Sequence, residues 1–408
     1  MAFLRNLLAS VLGTLVALGI LFFMFMVFIT LAGSSDEVRV KAHSVLELKF
    51  PYPIQEHSGL DPEDPFSLFY DPAMGLDEIT KALAIAKSDD RITGISISSP
   101  YLIAGMAQTK ALRDALRDFR ESGKFVYAYA DFYLQKDYYL SSIADSIFIN
   151  PVGTIDFKGL AAEVLYFKDL QDKTGVKMEV VRHGEYKSAV EPFLSSEMSE
   201  NNREQIESLL GSLWNTMRDE IAESRGLESK ELDRIADTLG GRQPEMALEA
   251  GLVDGLAYLD TYEEKLLRES GGDGDHPEKI SLQRYMRYSR KKRVHKGSDE
   301  IAVVYAQGEI LYGEGGPNYI GQGKMIKALR SAREDDDVKA VVLRVNSPGG
   351  NALTSDIIWR ELQLTRKEKP VVVSLSDVAA SGGYYLAVGG DKILAEPSTI
   401  TGSIGVFV

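Results

Sequence analysis

The chain repeats itself. Residues 124–156 lie without a gap on residues 370–402, a displacement of 246, so that Asp131 meets Asp377, Tyr138 and Tyr139 meet Tyr384 and Tyr385, Asp145 meets Asp391, and Pro151 meets Pro397. A duplication of this kind points to two copies of one domain, and 408 residues that are 44% hydrophobic can bury a core for each. One position differs in chemistry. Ser381, within Ala379-Ala380-Ser381-Gly382-Gly383, faces Gln135 in the first copy. Two copies of which one holds a nucleophile-like serine suggest a divided catalytic task.

Each copy opens on a strand-like alternation, at 44–50 and 301–306, followed by a helical pattern carrying Ile79, Leu83 and Ile85 or Ile326 and Leu329. Short apolar runs then recur at 92–98, 125–130 and 147–149, and at 340–345, 371–375 and 393–395, with amphipathic helices expected over 110–119 and 355–364. Strands alternating with helices imply α/β architecture with parallel sheets built from βαβ units. Residues 200–270 read as helices stopped by Gly226, Gly240, Gly241 and Gly251 and buttressing the first copy. The sequence Gly271-Gly272-Asp273-Gly274-Asp275-His276-Pro277 reads as a turn-rich linker, and the basic run 290–296 as its solvated continuation. The expected division is a membrane anchor at 1–33, a first repeat with helical extension at 34–270, a linker at 271–299, and an incomplete second repeat at 300–408. The first copy continues for more than 100 residues past the point equivalent to residue 402, so the chain is expected to be a shortened form of something longer.

A stretch of 26 uncharged residues, 7–32, exceeds the ~20 that cross a bilayer and the 7–15 typical of a cleavable signal's apolar region. It reads as an uncleaved anchor, with Thr30-Leu31-Ala32 leaving cleavage as the alternative. Arg5 on one flank and Asp36 and Glu37 on the other put the N-terminus in the cytoplasm and the remainder outside. The net charge of −14 argues against a nucleic-acid surface, and the absence of cysteine removes thiolate nucleophiles and thiolate metal sites.

A serine that attacks an acyl carbon needs a presented oxygen, a base, and donors for the oxyanion. Ser381 follows an apolar strand and opens a helix, where backbone N–H groups are free and Gly382 offers one donor. An ordinary helix N-cap is the competing role for such a serine. Asn346-Ser347-Pro348-Gly349-Gly350 follows the preceding strand, and Gly349 or Gly350 can supply a second donor; the first copy has Ser98-Ser99-Pro100-Tyr101 near this point. None of His43, His57, His183, His276 and His295 lies in the second copy's core, which leaves a Ser-His-Asp triad unsupported. A buried lysine can serve instead. Lys187 sits among small and apolar residues, yet lone lysines are ordinarily solvated, and residue chemistry alone does not select it.

The sequence Gly184-Glu185-Tyr186-Lys187-Ser188-Ala189-Val190-Glu191-Pro192-Phe193, together with Ser347-Pro348-Gly349-Gly350 and Ala380-Ser381-Gly382-Gly383-Tyr384, closely resembles the long, duplicated form of the bacterial signal peptide peptidase A family. The resemblance spans the anchor, both repeats and the linker. It implies tandem Clp/crotonase-like repeats and a Ser-Lys dyad in which Lys187 is the base and Ser381 the nucleophile, with Gly349 or Gly350 and Gly382 forming the oxyanion hole. It further implies a homotetramer in the bacterial inner membrane, with its catalytic part on the periplasmic side, that degrades cleaved signal peptides and other apolar peptides without a cofactor or metal. Lys187 displaced by 246 falls at position 433, beyond the chain, so within these residues only Lys187 and Ser381 can pair. The alternatives are a crotonase-type acyl-CoA enzyme and an inactive membrane-bound scaffold of the same fold.

Overall fold

The computed structural model describes residues 1–32, 38–59, 73–98, 101–181, 183–290, 292, 297–316 and 318–406. The apolar N-terminal stretch forms one helix, α1 (Ala2–Ala32), with Arg5 inside its first turns. Its segment Ala2–Val27 has a mean hydropathy of 2.5 and buries nothing against the rest of the protein. At ~1.5 Å per residue, 26 residues exceed the ~30 Å hydrocarbon thickness, so the helix is long and apolar enough to cross a membrane. The flanking Asp36 and Glu37 lie outside the described residues.

The first repeat runs β1 (Ser44–Leu48), β2 (Ile54–Gln55), β3 (Met74–Gly75), α2 (Leu76–Lys87), β4 (Ile92–Ile97), α3 (Met106–Arg120), β5 (Phe125–Leu134), α4 (Gln135–Ser141) and β6 (Ser146–Asp156). An arm with α5 (Lys168–Thr174) and α6 (Glu191–Leu194) follows. After it come α7 (Glu200–Arg225), α8 (Ser229–Thr238), α9 (Pro244–Glu249), β7 (Gly255–Leu256), α10 (Leu259–Ser270), β8 (Lys279–Ser281) and α11 (Leu282–Arg290). The sheet order is β7-β6-β5-β4-β1-β8, and every neighbouring pair is parallel. Parallel neighbours cannot be joined by hairpins, which is why a helix covers each crossover. In β4 five of six residues are buried, as expected of a strand with both faces covered. Met217, Ile221, Leu232, Ile235 and Ala247 of α7 to α9 share one core with Tyr138 and Ile155, so the helical extension does buttress the first copy.

The second repeat runs β9 (Glu300–Gln307), β10 (Glu309–Ile310), β11 (Tyr319–Ile320), α12 (Gln322–Glu334), β12 (Val338–Ser347), α13 (Ala352–Thr365), β13 (Val371–Ala380), α14 (Gly382–Ala387), β14 (Lys392–Leu394) and β15 (Ile400–Gly402). Its order β14-β13-β12-β9 reproduces β6-β5-β4-β1, and β15 also pairs with β13. The displacement of 246 holds well beyond 124–156: α2 and α12, β4 and β12, α3 and α13, β5 and β13, and β6 and β14 all begin 246 residues apart. Before that point β1 and β9 begin 256 residues apart, because the first copy runs ten residues longer from the start of its first strand to the start of its first helix.

The stretch 271–299 is not simply a linker. β8 extends the first sheet by pairing with β1, and α11 buries Leu282 and Tyr285 completely. Ile280 with Leu282 and Tyr285 provides a short apolar strand and a helical face, which the neighbouring glycines and basic residues obscure in sequence. Of the basic run, Arg290 pairs with Glu78 at 2.9 Å and Lys292 lies 4.4 Å from the centre of the Tyr288 ring. Residues 291 and 293–296 lie outside the described residues, as do Ser99 and Pro100.

Candidate active site

Ser381 sits between β13 and α14 with φ +52° and ψ −117°, a conformation non-glycine residues rarely adopt and one that costs about 1–3 kcal/mol. Its backbone is tied at both ends: the amide donates to Gly402 O at 2.9 Å, and the carbonyl accepts from Tyr385 N at 2.9 Å. The side chain does not cap α14. Its Oγ instead lies 3.4 Å from Lys187 Nζ, across 194 residues of chain. The cap role considered for this serine is therefore not the one it plays.

Lys187 is 4% exposed. Its Nζ donates to Ser403 O at 2.6 Å and lies 2.9 Å from Ser403 Oγ. Burial pushes its pKa below the ordinary lysine value. The arm carrying it is clamped by the start of α7: Gln205 Nε2 donates to Tyr186 O at 2.9 Å, and Tyr186 Oη donates to Glu204 at 3.0 Å. Just beyond, Glu191 is 3% exposed and accepts from Ser199 N at 2.7 Å and Ser199 Oγ at 2.8 Å. Burial alone would raise its pKa, but these hydrogen bonds outweigh it and hold the carboxylate below its usual range. The arm also meets the second repeat directly, with His183 N donating to Val406 O at 3.2 Å.

Opposite the serine, Gly349 has φ +100° and Gly350 φ +145°. A Cβ on Gly349 would lie 2.6 Å from Gly382 N and 2.8 Å from Ser381 Cβ, and one on Gly350 would lie 2.2 Å from Ile310 O. Neither position tolerates a side chain. Gly349 O accepts from Ile310 N and Ile310 O from Asn351 N, both at 2.8 Å, which seats the turn on β10. The Gly349 amide donates to Ser347 Oγ at 3.2 Å. Among the described residues the amides of Gly350 and Gly382 carry no such bond, so these two are the donors available beside Ser381.

The equivalent place in the first repeat is filled by its own side chains. Gln135 stands where Ser381 stands, and its Oε1 accepts from Lys158 N at 2.8 Å and Gly159 N at 2.9 Å. Lys136 and Asp137 occupy the places of Gly382 and Gly383; Lys136 donates to Ala104 O, and Asp137 accepts from Leu102 N at 2.7 Å. Burial pushes the Asp137 pKa up to about 6. Four residues predicted from sequence thus meet, Lys187 from the arm of the first repeat and Ser381, Gly350 and Gly382 from the second, and Gly349 adjoins them with its amide already engaged. Ser403 was missed. Its only sequence signal is its place directly after Gly402, in the strand end paired with the serine turn.

Residues 118–271 and 363–408 match the model of peptidase family S49. The chain belongs to that family. This S49 chain is 40% identical over 339 residues to Protease 4 of Salmonella typhi, covering 81% of the chain and 54% of the relative. It is 37% identical to Protease 4 of Haemophilus influenzae over 81% of the chain and 55% of the relative. It is 32% identical to the chloroplastic serine protease SPPA of Arabidopsis thaliana over 83% and 50%. The chain therefore spans about half the length of the curated relatives it matches. A putative enoyl-CoA hydratase/isomerase from Acinetobacter baumannii shares 19% identity over 24% of this chain and 49% of its own, with a TM-score of 0.21, too slight an overlap to bear on fold or function.

Proposed function

We propose that the protein is a membrane-anchored serine endopeptidase that hydrolyses apolar peptides, cleaved signal peptides among them, with Ser381 as nucleophile and Lys187 as general base. The observation that carries this reading is the 3.4 Å approach of Lys187 Nζ to a serine oxygen that caps nothing. A neutral amine has two hydrogens and one lone pair. With Nζ donating to Ser403 O, its lone pair can accept the Ser381 proton as Oγ attacks the peptide carbonyl. The Gly350 and Gly382 amides then face the developing oxyanion, and the lysine returns its proton to the leaving amine. The positive φ of Ser381 supports the same role, since it turns the side chain out of the helix start.

Because the working lysine is the neutral one, kcat rises with pH through the Lys187 pKa. That pKa is lowered by burial, so the midpoint falls below the ~10.4 of a free lysine. A midpoint at or above that value contradicts the mechanism. Ser403→Ala removes one partner of Nζ and lowers the plateau kcat by about two- to tenfold, since a part-buried hydrogen bond is worth ~0.5–1.5 kcal/mol. An unchanged plateau assigns Ser403 no part in holding the base.

The exposed apolar α1 supports anchoring in the bacterial inner membrane, and Arg5 at its N-terminal end supports a periplasmic location for the repeats. Assembly as a homotetramer fits the exposed apolar side chains of the arm, Leu165, Leu170, Val176 and Val181. Sedimentation of the detergent-solubilised full-length protein as a monomer would overturn that part.

A further inference from the structure

We infer that Glu56, contributed by the first repeat, is a positioning residue for Ser381: its buried carboxylate locks the irregular end of β13 against β12 and so sets where the nucleophile stands. The inference rests on the Ser-Lys reading above. It starts from a register change. Val345 pairs with Leu375, but Ser347 pairs with Ala379, so β12 advances two residues while β13 advances four. β13 therefore bulges at Ser376, Asp377 and Val378 opposite Asn346. Bulges bend strands and re-aim the side chains beyond them. Here the bulge lies three residues before Ser381 on one strand and three before Gly349 on the other, so its shape fixes the serine relative to the glycine turn.

Glu56 of the first repeat fastens that bulge. It is 2% exposed and receives Arg344 Nε at 2.6 Å on Oε2. On Oε1 it receives Asn346 Nδ2 at 3.1 Å, Gln108 Nε2 at 2.7 Å and the hydroxyl of Ser376. Arg344 continues to Ser374 Oγ at 2.8 Å and Leu375 O at 3.0 Å, while Asn346 Oδ1 accepts from Val378 N at 3.2 Å. Both ends of the bulge are thereby fastened through side chains that converge on one carboxylate from the other repeat. The backbone of Glu56 is held too, its amide donating to Gln307 Oε1 at 2.6 Å. The docking is mutual: Asp377, from the bulge, accepts from Gln108 N at 3.0 Å at the start of α3, where a Cβ on Gly105 would lie 2.0 Å from Asp377 Cγ.

A carboxylate receiving four donors cannot be replaced by an amide of the same shape without turning an N–H₂ toward other donors. Glu56→Gln therefore loosens the bulge while leaving Lys187 and Ser403 untouched. The test measures kcat, KM and the pH profile of the full-length protein on an apolar peptide, with melting temperature as the check on folding. We expect kcat to fall about 10- to 100-fold, the loss a displacement near 1 Å produces. KM should stay within about twofold, and the lysine midpoint should not move. A kcat within about twofold of the parent overturns the inference, as does a loss accompanied by a shifted midpoint or confined to KM. Should Glu56→Gln fail to fold, Ser376→Ala and Arg344→Lys each remove part of the same network. If both fold and leave kcat unchanged, the inference fails. Parallel Ser381→Ala and Lys187→Ala variants separate the two levels: if they keep activity, the Ser-Lys reading falls and this one with it, whereas if they lose activity and Glu56→Gln keeps it, only the positioning role falls.

Discussion

Ser381→Ala in the full-length protein lowers kcat toward an apolar peptide by at least about 10³-fold, Lys187→Ala does the same, and the double variant is little worse than either alone. The expectation follows from the geometry of the pair. With a serine oxygen 3.4 Å from the lysine nitrogen, neither group has a chemical use in the reaction without the other. Residual turnover in all three variants reports what the Gly350 and Gly382 amides achieve unaided. Steady-state kinetics on the four proteins decides the matter: full activity in either single variant removes the dyad, and losses that multiply in the double variant show that the two groups act separately.

The second large effect is expected from Gly350→Ala. The new methyl would lie 2.2 Å from Ile310 O, and its residue would have to hold φ +145°, so the turn must move away from β10. The Gly350 amide moves with it. Removing one oxyanion donor costs ~10²–10³-fold in kcat, and the expected loss is of that order. The rate at which a small serine-directed acylating reagent labels Ser381 should fall in parallel, because acylation passes through the same tetrahedral geometry. A variant that is folded by its melting curve and retains kcat within about threefold would take Gly350 out of the oxyanion hole.

Much of this was legible in the sequence. The repeat pointed to two copies of one α/β unit with parallel strands, which the two larger sheets display, and the Ser381/Gln135 mismatch pointed to the copy proposed to hold the nucleophile. Lys187 was legible only through the motif around it, because its burial depends on an arm clamped by α7 and closed by the strand end at Ser403, contacts that no local pattern encodes. Glu56 was invisible for a related reason. In Pro53-Ile54-Gln55-Glu56-His57 it looks like a solvated loop residue, and its main partner, Arg344, lies 288 positions away. The sequence also left Gly349 and Gly350 equivalent, and it took the Ser347 hydroxyl on the Gly349 amide to separate them. β8 and α11 went unread because three apolar residues between charged and glycine-rich stretches make too weak a signal beside their 0–4% exposure in the fold.

The 194 residues between Lys187 and Ser381 also carry a temporal consequence. At ~5–20 residues per second a ribosome delivers the serine roughly 10–40 s after the lysine. The first repeat, its own pocket plugged by Gln135, Lys136 and Asp137, passes that interval with no nucleophile to activate. On the Ser-Lys reading, the peptidase site is therefore absent until the second sheet has formed and docked, which spares neighbouring chains and the protein itself during the interval.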